Sequence, residues 1–77
     1  MARYYFDYRD NDQFFPDGVG SDLSSVEAVK REATRALTEL ARDVLPGSAV
    51  RTLSIEVRTE SGPVLRASLR FEIEQTA

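Results

Sequence analysis

Residues 24–45, SSVEAVKREATRALTELARDVL, decide the fold. Apolar residues recur at Val26, Val29, Ala33, Leu37, Leu40 and Val44. Spacings of three and four put them on one face of a helix. Glu27, Arg31, Arg35, Thr38, Glu39 and Arg42 fall largely on the other face. Ser24-x-x-Glu27 reads as a capping box, with Leu23 placed to staple against Ala28; Ser25 is a competing N-cap. Glu27 and Arg31 form an i,i+4 pair in the favourable order. Lys30 lies at the edge of the stripe, where its stem can pack and its ammonium reach water. Pro46-Gly47 ends the helix. A helix with one apolar face must bury it against something, with Leu37 and Leu40 expected in the core. The flanking segments supply the surface.

Downstream, residues 51–74 read as a hairpin. Leu53, Ile55 and Val57 alternate with Thr52, Ser54, Glu56 and Arg58; Leu65, Ala67, Leu69, Phe71 and Ile73 alternate with Arg66, Ser68, Arg70, Glu72 and Glu74. Both arms bury odd positions, so facing residues must share parity. A loop of Glu60, Ser61 and Gly62 meets this condition and pairs Thr59 with Pro63. Gly62 then takes the left-handed position of such loops, and Glu56 faces Arg66.

Upstream, Tyr4, Phe6 and Tyr8 alternate with Arg3, Tyr5, Asp7 and Arg9, the period of a half-buried strand. Asp10, Asn11 and Asp12 form a turn. Phe14 and Phe15 begin a return strand, one of them pointing outward, and Pro16 makes that strand an edge or ends it. Glycines at 18 and 20 break the chain before the helix. The predicted fold class is α+β, a two-layer β-β-α-β-β arrangement. One helix packs on one face of a four-stranded, mainly antiparallel sheet. Counting these strands along the chain, the first lies in the centre, in order 2-1-3-4 or 2-1-4-3.

Composition limits the chemistry. Seventy-seven residues make a single domain, residues 1–77. A chain of this size buries only ~60% of its unfolded surface, so its stability margin is thin. Histidine and cysteine are absent, which removes Ser-His-Asp and Cys-His catalysis and the usual zinc ligands. Asp10, Asp12 and Asp17 suggest a hard cation. A calcium loop, however, needs an oxygen ligand where Phe14 stands. The glycines do not form a dinucleotide fingerprint, and Glu72 and Glu74 read as a solvated strand face. No metal and no cofactor are expected. A net charge of −3 exerts no global pull toward nucleic acid. Nine of the ten basic residues are arginine, which we read as coding bias before phosphate recognition. No apolar run approaches the ~20 residues of a membrane span, and charges begin at Arg3. A cytoplasmic protein with no membrane association is expected.

The opening Arg3-Tyr4-Tyr5-Phe6-Asp7, the segment from Asp17 to Leu23 (DGVGSDL) and Val26-Glu27-Ala28-Val29 resemble a family of short bacterial proteins, common in alphaproteobacteria and classed as a domain of unknown function. That family often has proline then aspartate where Ser24 and Ser25 stand, a departure that favours Ser25 as the cap. The resemblance implies no catalytic residue. A more distant, architectural likeness is to the small sheet-and-helix domain of HicB-type antitoxins. No separate DNA-binding segment follows the hairpin in this sequence, so a complete antitoxin is not expected.

The expected function is a non-enzymatic interaction module that self-associates as a homodimer or binds an unknown protein partner. The alternative is an accessory protein that binds nucleic acid on the outer sheet face. The candidate partner surface is Tyr5, Arg9, Arg58, Arg66 and Arg70. Arginine and aromatic side chains on an open sheet can pair with phosphates and stack on bases. Asp7, Glu56, Glu72 and Glu74 share that face and oppose such binding.

Overall fold

The computed structural model describes residues 2–76. Along the chain run β1 (Ala2–Asp10), β2 (Gln13–Phe15), β3 (Ser21–Leu23), α1 (Val26–Val44), β4 (Val50–Thr59) and β5 (Gly62–Glu72). The strands form one antiparallel sheet in the order β2-β1-β4-β5, with β3 also pairing with β1. The α+β class is as expected, and of the two strand orders the one with the third strand beside the first is found. The sheet has five strands where four were expected. Ser21-Asp22-Leu23 is too short and too polar to show alternation, yet it pairs with Ala2, Arg3 and Tyr4.

Helix α1 starts one residue later than a Ser24 capping box requires. Ser25 is the N-cap: its Oγ accepts a hydrogen bond from the Ala28 N–H at 3.1 Å, and its carbonyl accepts one from Val29. Glu27 then lies on the first turn and pairs with Lys30, whereas a pair with Arg31 was expected. Lys30 is exposed. Leu23 packs against the core as part of β3. The buried stripe is Val29, Ala33 and Leu37, with Leu40 and Val44 partly buried behind it. Val26, half exposed at the first helical position, lies outside the core.

That stripe packs on Leu53, Ile55 and Val57 of β4, flanked by Tyr4, Phe6 and Tyr8 of β1 and by Leu65, Ala67 and Leu69 of β5. Full burial of Val29, Leu53 and Val57 contributes ~1.5–3 kcal/mol each. The residues of β5 are only partly covered, because β5 forms the edge of the sheet. Ile73, expected in the buried series, lies past the end of β5 and is half exposed.

In the β4–β5 hairpin Glu56 faces Arg66 and Leu53 faces Leu69, the parity that was predicted. The tip differs. Thr59 pairs with Gly62, Arg58 with Pro63, and Val64 is the extra residue of an irregularity next to Val57 and Arg58. The turn is therefore shorter than the predicted loop, and a bulge restores the register. Gly62 has a positive φ of 130°, the sign predicted.

Candidate functional site

Odd residues of β1 and even residues of β4 and β5 point away from α1 and make the outer face. All five candidate residues are there. Two cation–π pairs organise the face. The Arg58 guanidinium lies 4.5 Å from the centroid of Tyr5, and that of Arg9 lies 4.7 Å from Phe14. Phe14 is thus the outward phenylalanine. Phe15 stacks on Tyr8 on the helix side, with centroids 4.4 Å apart.

Each of the four candidate arginines also meets a carboxylate. Arg58 Nε donates to Asp7 at 2.8 Å, and Arg9 Nε donates to Glu56 at 3.0 Å. Arg66 lies 4.0 Å from the same Glu56, and Arg70 donates to Glu72 at 2.8 Å. Tyr5 and Arg58 therefore form one group, and Arg9 and Arg66 a second around Glu56. Arg70 stands apart, four residues along β5 from Arg66, roughly 13 Å at strand rise. An open groove of about 480 Å³ runs between Asp7, Glu56, Arg58 and Arg66 toward Pro63 and Val64.

Aspartates that sequence reading treated as turn formers or solvated charges do more. Asp7 is buried, and its Oδ1 accepts the Asp17 N–H at 2.8 Å. Asp17 Oδ2 accepts from the Phe6 N–H at 3.0 Å, and Oδ1 accepts from Val19 and Gly20. The Phe6 N–H lies on the edge of β1 between the stretches paired to β2 and β3, so the Asp17 carboxylate fills the gap between two short strands. Burial opposes the charge on Asp17, but the three backbone donors, helped by Arg58, outweigh it and hold its pKa below the usual carboxylate value. The spacing Asp17 to Gly20 was the available signal, since an aspartate commonly bonds amides two and three residues on.

On the helix side, Arg51 Nε and Nη2 donate to the two oxygens of Asp10, each at 2.8 Å, and Nη1 donates to the Val44 carbonyl at 3.0 Å. This bidentate clamp ties the end of α1 to the end of β1. Hydrogen bonding to Arg51 lowers the pKa of Asp10 despite burial. Nothing in the alternation pattern marked Arg51, the first residue of the predicted hairpin. Among the described residues no group of three or more His, Cys, Asp or Glu is placed to hold a metal ion, and no helix is long and apolar enough to cross a membrane.

A family model described as a domain of unknown function (DUF6894) matches residues 3–70. The chain belongs to that family. No curated protein and no solved structure matches it. The conformation gives physical content to the stretches that carried the resemblance: Asp7 accepts the Asp17 N–H, the Asp17 carboxylate accepts the Phe6 N–H, and Gly20 sits against the Tyr5 ring, where a Cβ would come within 2.9 Å.

Proposed function

We propose that this chain is a non-enzymatic interaction module that self-associates. The observation that carries the reading is the state of its two open surfaces. The four candidate arginines of the outer face share three carboxylates of the same chain, Asp7, Glu56 and Glu72, with Arg66 the most loosely held at 4.0 Å. The outer edge of β5, by contrast, runs eleven residues with no strand beside it among the described residues. An edge of that length is a template for strand addition. Association also stabilises a small domain by mass action. Sedimentation equilibrium over a wide concentration range tests it. A monomer–dimer equilibrium is expected, and a single species of monomer mass throughout overturns the proposal.

A second reading, nucleic-acid binding on the outer face, draws on the paired Tyr5–Arg58 and Phe14–Arg9 stacks. It requires those arginines to exchange carboxylate for phosphate, which costs the ion pairs that hold the face together. A salt-dependent mobility shift with single-stranded DNA or RNA is its test. The alphaproteobacterial distribution and the architectural likeness to HicB-type antitoxin domains belong to the same proposal, as does a cytoplasmic location. Fractionation and pull-down from the native host check the location and the partner.

A further inference from the structure

We propose that the occupant of the free β5 edge is a second copy of the same chain, paired antiparallel about a two-fold axis at Leu69. The proposal rests on the self-association reading and names its surface and register.

The geometry restricts the choices. The Ile73 N–H donates to the Ala49 carbonyl at 2.8 Å, so odd residues in this part of the chain turn their backbone groups toward β4. Arg66, Ser68, Arg70 and Glu72 consequently turn theirs to the free edge. A second β5 must set even residues opposite even residues, which also aligns the two outer faces. The irregularity at Val64 confines a regular ladder to the residues that follow it.

Charge and ladder length together then select among the permitted registers. Centred on Ala67, the pairing sets Arg66 against a serine and Arg70 against a valine, and no unlike charges meet. Centred on Ser68, it sets Arg66 against Arg70 of the partner subunit. Centred on Arg70, it sets that arginine against its own copy. Centred on Phe71, it sets Arg70 against Glu72 of the partner subunit but keeps only the last three residues of β5 in the ladder, so length and not charge rejects it. Centred on Leu69, it sets Arg66 against Glu72 of the partner subunit, twice by symmetry, and Arg70 against a serine. On the helix side the same register lays Ala67 against Phe71 of the partner subunit and Leu65 against the partner's Ile73, covering a side chain that is 51% exposed in the single chain. Unlike charges directly opposite each other stabilise a strand pair, and like charges destabilise it. An isologous contact repeats each such pair.

The test is a charge-exchange cycle on the full chain, read by sedimentation equilibrium, with circular dichroism to confirm folding. Arg66→Glu and Glu72→Arg should each raise the dimer dissociation constant roughly tenfold, the range of paired-strand charge effects taken twice by symmetry. The double variant should return most of that loss. Because the chain has no cysteine, a second measurement is independent of charge: an equimolar mixture of Ser68→Cys and Arg70→Cys chains should oxidise mainly to the mixed disulfide. A wild-type dimer indifferent to both single charge changes, with no excess of mixed disulfide, overturns the edge and register while self-association stands. A wild-type monomer at all concentrations overturns both.

Discussion

Asp17 serves the edge of β1 where no strand reaches it. Its carboxylate accepts from Phe6 inside the sheet and from Val19 and Gly20 in its own loop. Asp17→Ala should destabilise the protein by about 1–3 kcal/mol, because it leaves a part-buried amide without a partner. Asp17→Asn keeps one acceptor oxygen and should cost less. Chemical denaturation of the two variants checks the order. The acid response follows from the same contacts. The pKa values of Asp17 and Asp10 are lowered in the folded state, so the folded chain holds fewer protons than the unfolded one. Their contribution is present above the unfolded carboxylate pKa of about 4 and is lost as pH falls through the lower folded values. Melting temperature should therefore drop on acidification below about pH 4, and less steeply in Asp17→Asn. At Gly62 the positive φ has open space around it, so Gly62→Ala should cost about 1 kcal/mol through backbone strain alone. Gly20→Ala should cost more, since strain is joined by contact with Tyr5 and Arg3. Thermal melts of both variants compare them.

The elements hold together through α1 and its sheet contact. Leu37 is buried and Leu40 only partly so. Leu37→Ala should therefore cost ~2–5 kcal/mol and Leu40→Ala less; equal melting temperatures for the two would contradict the packing. Ser25→Ala should cost ~1 kcal/mol and Ser24→Ala almost nothing, which identifies the cap by calorimetry. These elements were legible because periodicity reports burial. Three-and-four spacing located α1, and period two located β1, β4 and β5 with their correct faces. What alternation cannot report is a contact made once. The three-residue β3, the Asp17 bridge and the Arg51–Asp10 clamp each depend on where a turn returns the chain, not on a repeat. The outer face was read correctly as mixed in charge. Glu56 against Arg66 followed from the hairpin parity, but the meetings of Arg9 with Glu56 and of Arg58 with Asp7 depended on the register of β1 against β4, and that register has no local signature.

At the scale of the whole molecule, a five-stranded sheet with a helix on one side is stabilised by a small core and by side-chain clamps at its corners. The self-associating module proposed above would extend that sheet through β5 and double its width. The position of β1 also has a consequence for synthesis. This strand lies inside the sheet, yet its long neighbour β4 is made only after the helix; Arg9 meets Glu56 across 47 residues, and Asp7 meets Arg58 across 51. While the ribosome is still extending the chain toward β4, β1 has only two three-residue strands for company, and α1 has no full surface on which to lay its apolar stripe. We therefore expect folding to wait until β4 has left the exit tunnel, and to be dominated by distant contacts, the kind that slows two-state folding.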